Sequence, residues 1–157
     1  MQLRDEILGR LGTPTTVEDA ALTLLALRRV GRPEALINAQ HSSGAWPAIF
    51  HVGLPSVYHT ALALLALREF DTSLAQGAAD RAFRWLTSIQ GREAHWLWQW
   101  KFHLFDRQVR FDPSKYGWPW IPDTVSWVAP TALSILAFRS WGRNSPRLTP
   151  AVEMLLD

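Results

Sequence analysis

Asp123 is the acid with the most unusual sequence neighbours. It stands in WPWIPDTVSW, between Pro122 and Thr124, with Trp118, Trp120 and Trp127 close by in the chain. A carboxyl packed among indoles loses its water, its pKa rises, and it becomes a general acid. The same residue type before a helix is also an ordinary turn or cap. Tryptophan is itself abundant, at nine residues, and Trp96, Trp98, Trp100, Trp118, Trp120 and Trp127 crowd one third of the chain. Indole faces attract cations through their quadrupole, and they also stack on the apolar faces of sugar rings. Trp98, Trp100, Trp118, Trp120 and Trp127 are therefore the candidate ligand wall. Trp46, Trp85 and Trp96 are expected to be packing residues.

Other chemistries are excluded by what is missing. There is no cysteine, so no disulfide framework, thiolate ligand or thiol nucleophile exists. The histidines at 41, 51, 59, 95 and 103 show no zinc-binding spacing. No acidic cluster suited to magnesium appears, and no carboxylate pair stands out for glycoside hydrolysis. No metal and no cofactor are expected. The net charge of +2, from 16 basic and 14 acidic residues, gives no electrostatic footprint for nucleic acid. The first ten residues mix charge signs and lack the apolar core of a signal peptide. Apolar runs such as 61–67 fall far short of the ~20 residues that cross a bilayer. A cytoplasmic protein without a transmembrane segment is expected.

The elements that must carry these residues are set by a repeat. Residues 20–28 read AALTLLALR, residues 60–68 TALALLALR and residues 131–139 TALSILAFR. Ala21 and Ala61 are 40 apart, and Ala61 and Ala132 are 71 apart. Such self-similarity marks stacked helical hairpins, each burying its apolar face on its neighbours. Thr15 and Thr16 offer an N-cap, with Glu18 and Asp19 in the first turn, for a helix running to about Val30. Further helices are predicted from Pro33 to Gln40, Ser56 to Phe70, Ser73 to Gln90, Pro130 to Trp141, and from Thr149 onward. Residues 42–55 read as loop. Residues 96–104 alternate aromatic and polar side chains with period two, which predicts a strand. With a turn at Asp106–Arg107 and a return through Phe111, a small β-hairpin insert is expected near 96–111.

The stretches that follow the first two copies carry a resemblance. ALINAQHSSGAW has Gln40, Gly44 and Trp46, and AFRWLTSIQGREAHW has Gln90, Gly91 and Trp96. A helix ending in Gln, a glycine turn and then Trp resembles the Gln-Trp repeat of squalene-hopene cyclases and the wider prenyltransferase/squalene oxidase repeat family. GWPWIPDTVSWVAPTALSILAF is similar to a segment of uncharacterised bacterial members. The resemblance implies an all-α fold, a partial α/α toroid of about three helical hairpins, with residues 1–157 as one domain. It implies a terpenoid cyclase/prenyltransferase-like protein that binds an isoprenoid or other apolar ligand. TVEDAA at 16–21 resembles the family's DVDDTA, in which an Asp protonates an alkene. Glu18 stands at the acid position here and Asp19 is kept, so Glu18, Asp19 and Asp123 are the candidate catalytic acids. The family's zinc site has no counterpart.

A closed toroid of this family has about six hairpins of roughly 40 residues. AVEMLLD at 151–157 aligns with AFRWLTS at 82–88, so the next Gln would fall at 159. The chain is therefore expected to be part of a longer protein, or to complete its ring as a homodimer. The alternative is a non-catalytic interaction or scaffold module that uses the concave face of a half ring.

Overall fold

In the computed structural model, the structure describes residues 14–28, 31–95, 97, 112 and 114–157. The helices are α1 (Val17–Leu27), α2 (Glu34–Asn38), α3 (Val57–Leu67), α4 (Ser73–Ser88), α5 (Val128–Ser140) and α6 (Leu148–Leu156). A two-stranded antiparallel sheet joins β1 (Trp46–Ile49) to β2 (Val52–Ser56), and a 3-10 turn covers Arg92–Ala94. Three helices begin where a hydroxyl can accept an otherwise orphaned amide. Thr16 accepts from Asp19, Ser56 from His59, and Thr72 from Ala75. α1 stops at Leu27 because Arg28 turns to a φ of 48°, a conformation that cannot continue a right-handed helix.

The three sequence copies are α1, α3 and α5. They pack side by side in chain order, α1 on α3 and α3 on α5. α2 lies on α1, α4 on α3, and α6 on α5, giving an outer layer, and α2 also touches α4. The interface is rich in small residues: Ala20, Ala21, Ala61, Ala63, Ala66 and Ala137 are buried, and α4 buries Ala75, Ala78, Ala79 and Ala82 on one face. Small side chains let the helices approach closely, while Leu36, Leu64, Leu67 and Leu86 fill the space between layers. Each such leucine is worth about 2 kcal/mol of transfer free energy.

Residues 46–56 are a hairpin, where the sequence predicts loop. Pro47 faces Pro55 in it, and two prolines together hide a β-pattern because neither can donate to a ladder. The hairpin is held by Trp46, which is fully buried. Its amide donates to Thr60 Oγ1 at 2.9 Å, and its indole Nε1 donates to the Leu36 carbonyl at 2.7 Å. The same device recurs at Trp118, also fully buried. The Trp118 amide donates to Thr131 Oγ1 at 2.9 Å and its indole to the Leu86 carbonyl at 2.9 Å. Thr60 and Thr131 are themselves 71 apart, the spacing of the repeat.

Trp118 is therefore the counterpart of Trp46. Trp96, which the Gln and Gly ahead of it set opposite Trp46 in sequence, lies outside the described residues. The shared sequence is Trp-Pro, at 46–47 and 118–119. A glycine lies just ahead in both cases for a steric reason. Gly44 has a φ of 94°, and a Cβ there would stand 2.6 Å from the Arg81 carbonyl oxygen. A Cβ on Gly117 would stand 2.2 Å from Thr131 Oγ1. Gln40 closes the first turn through its amide, which donates to the carbonyls of Gly44 and Ala78. Gln90 is exposed, and Arg147 closes the second turn by donating to the Leu86 and Gly117 carbonyls. The predicted insert near 96–111 lies outside the described residues apart from Leu97.

Thr60→Val and Thr131→Val keep side-chain volume and each strand a buried Trp amide. Each is expected to cost about 1–3 kcal/mol in urea unfolding. Thr87→Val, on the exposed face of α4, should stay within about 0.5 kcal/mol of the parent.

Candidate functional site

The structure separates the candidate residues into three groups. Trp118 belongs to the core: it is closed to solvent, stacks with Phe138 at 5.8 Å, and its indole is committed to the Leu86 carbonyl. It is a packing residue, not a ligand wall. Trp98 and Trp100 lie outside the described residues. Trp120 and Trp127 remain accessible, at 37% and 55% of their surface.

Asp123 is exposed and adopts a φ of 64° in the turn between Pro119 and Ser126, which form an antiparallel bridge. The turn is fastened by Thr124 Oγ1, which donates to the Ile121 carbonyl, and by the Arg92 amide, which donates to the Thr124 carbonyl. Asp suits this backbone because its short polar side chain tolerates the left-handed region. The indoles that flank Asp123 in sequence do not bury it, so the desolvated acid expected there is not formed. Asp19 is exposed on the first turn of α1.

Glu18 is half-buried and has a partner. Tyr58 donates its phenol to Glu18 Oε1 at 3.2 Å. Glu18 and Tyr58 are 40 apart, so they are the same position on neighbouring helices of the repeat. Stacking repeats side by side brings equivalent positions together. The next residue, His59, sits between the phenol and its own cap. Its Nδ1 lies 2.8 Å from Ser56 Oγ, and its ring meets Tyr58 edge-on at 5.1 Å. Trp120 covers the other side of Tyr58, with ring centroids 4.8 Å apart. The backbone holds Trp120 there, since its carbonyl accepts from the Val57 amide at 2.9 Å. A parallel arrangement serves α1: Ile49 bridges Thr16, and the Phe50 amide donates to the Thr15 carbonyl.

The electrostatics of this group follow from burial and from Glu18. Burial raises the Tyr58 pKa, and the nearby Glu18 charge and hydrogen bond raise it further. The phenol thus keeps its proton and remains a donor. Burial lowers the His59 pKa, with Glu18 opposing the shift. The 46–56 hairpin exposes Ile49, Val52 and Leu54, and Val125 and Trp127, which flank Ser126 of the Pro119–Ser126 bridge ahead of α5, are exposed as well. No group of three or more His, Asp or Glu side chains suited to a metal occurs among the described residues. No described helix is long and apolar enough to cross a membrane.

Comparison with protein families, with curated proteins and with solved structures finds no match to this chain. The site is therefore read from its own geometry. Sequence reasoning singled out Glu18 and missed Tyr58 and His59, although the 40-residue period pairs 18 with 58 and 19 with 59. It also missed Arg147, which is buried against the Trp118 ring at 4.3 Å. Burial lowers the Arg147 pKa to about 10, partly offset by Tyr116 and Glu93. No local motif announces a buried arginine.

His59 makes the fold pH-dependent with a definite sign. Its folded pKa lies below the unfolded value of 6.5, so the folded state binds fewer protons and stability rises with pH across that interval. The contribution is complete above 6.5 and is lost as pH falls through the lowered value. The urea midpoint should drop between about pH 7 and about pH 5, and His59→Gln should flatten that drop. An equal drop in the variant would assign it to other groups.

Proposed function

We propose that this chain binds an apolar, isoprenoid-like ligand on the hairpin face, as a repeat protein of the terpenoid cyclase/prenyltransferase-like type, its helices forming part of an α/α toroid. The observation that carries this reading is the exposed Trp120 stacked on Tyr58, which is in turn bonded to Glu18. An accessible indole face next to a fixed hydrogen-bonding pair suits a ligand with an apolar body and one polar end. The apolar body lies along Trp120, Leu54 and Trp127. The polar end exchanges hydrogen bonds with Glu18 and Tyr58.

Binding is better supported than proton-initiated chemistry. Glu18 accepts the Tyr58 hydrogen bond, which commits one carboxyl oxygen to a protein partner. An acid that protonates an alkene must instead aim its proton at the substrate. Asp19 and Asp123 are both exposed to water rather than enclosed with a substrate. The second reading, a non-catalytic interaction module, is favoured by a different observation: apolar residues of α1 and α5, such as Leu22 and Leu136, are half exposed.

Quenching of tryptophan fluorescence by farnesol, an isoprenoid alcohol, tests the ligand. Saturable binding is expected, weakened about tenfold by Trp120→Ala through loss of apolar contact. Glu18→Gln should reduce the preference for farnesol over the matching hydrocarbon. Absence of saturable quenching, or indifference to Trp120→Ala, would remove the ligand reading and leave the interaction module.

A further inference from the structure

The two ends of the helix row are complementary to each other, and the repeat shows how. Two stripes run along each inner helix. The first is Val17, Ala21 and Leu24 in α1, Val57, Ala61 and Leu64 in α3, and Val128, Ala132 and Ile135 in α5. It is closed to solvent in α1 and α3 and opened in α5, where Val128 is 65% exposed against 0% for Val57. The second is Asp19, Leu22 and Ala26 in α1, His59, Leu62 and Ala66 in α3, and Pro130, Leu133 and Ala137 in α5. It is covered in α3 and α5 and opened in α1, where Leu22 is 50% exposed against 6% for Leu62.

Spacings of three and four put each stripe on one helix face. Only α1 lacks an inner helix before it among the described residues, and only α5 lacks one after it. The second stripe is thus the surface an inner helix offers to its predecessor, and the first is the surface offered to its successor. The first stripe of α1 meets the second of α3, and the first stripe of α3 meets the second of α5. The unused pair is the first stripe of α5 and the second of α1.

We propose that a second copy of this chain docks head to tail, seating the free stripe of its α5 on the free stripe of α1. A groove of about 790 Å³ runs along that part of α1, lined by Asp19, Leu22, Thr23 and Ala26 on one side and by Arg32 and Ala35 on the other. The docked contact continues the α1–α3 and α3–α5 interfaces with side chains of the same kind at the same spacing. Val128, Ala132 and Ile135 then leave water, as exposed apolar faces of stacked repeats do when a neighbour is present. The interface is heterologous, so successive copies either close a ring or extend a filament.

The absence of cysteine makes the test simple. Leu22→Cys and Ala132→Cys, prepared separately and mixed with a short bismaleimide, are expected to couple to each other, while neither couples to itself. Light scattering should show mass rising from the 17.8 kDa monomer with concentration. Leu22→Glu and Val128→Glu, both at exposed positions of the two free stripes, should each weaken association about tenfold or more with unchanged far-UV circular dichroism. A mass fixed at the monomer value at high micromolar concentration would overturn the proposal. Self-coupling of either single variant as efficient as cross-coupling would overturn it too, because that pattern belongs to a two-fold interface.

Discussion

The fold depends on a buried tryptophan clamp used twice. Trp46 and Trp118 each carry two donors into the interior, and each donor has an acceptor waiting. The indole takes the last carbonyls of an outer helix, and the amide takes a threonine hydroxyl on the next inner helix. One side chain thus fixes three elements: the end of a helix, the start of a hairpin and the height of the following helix. Desolvated donors without partners cost about 1–3 kcal/mol each, so the geometry tolerates little displacement. The glycine before each tryptophan is part of the same constraint, because any Cβ would collide with the backbone or the threonine it approaches.

The candidate site is a consequence of that clamp. Once each tryptophan is fixed, the segment that follows it lies against the start of an inner helix, Phe50 at α1 and Trp120 at α3. This brings Trp120 over Tyr58 and leaves the polar edge of Tyr58 facing Glu18. The site needs no long-range charge organisation. The Glu18–Tyr58 bond is set by the stacking of equivalent positions on neighbouring helices, and the Trp120–Tyr58 contact by the Trp120 carbonyl on the Val57 amide.

The second clamp differs from the first in its cation. Arg147 is buried beside Trp118 and bonds two carbonyls, while its Nε has no hydrogen-bond partner among the described residues. Burying a guanidinium is costly, and its lowered pKa reports that cost. The carbonyl bonds, the indole face at 4.3 Å and the nearby charge of Glu93 offset it. The first unit does the same job with neutral Gln40, at lower desolvation cost. In the second unit Gln90 is exposed, and Arg147, at the N-cap of α6, supplies the side chain from across the sequence.

The sequence by itself determined the helical repeat, its three copies and the cap at Thr16, because these rest on local periodicity and on a side chain that bonds within three residues; the caps at Ser56 and Thr72 came with the structure. It also placed Glu18 at the head of an inner helix. It read 46–55 as loop where a hairpin forms, since opposed prolines hide a strand from pattern rules, and it did not single out Trp118 as the counterpart of Trp46, since composition alone cannot say which indole reaches a carbonyl. Only the tertiary structure decided that Trp118 is core while Trp120 is surface. These residues differ by two positions and have nearly the same sequence neighbours. Only the tertiary structure decided that Asp123 points to water and that Tyr58 meets Glu18. Burial and pairing across 40 residues are properties of packed helices, and they exist only after the clamps have set the helices side by side.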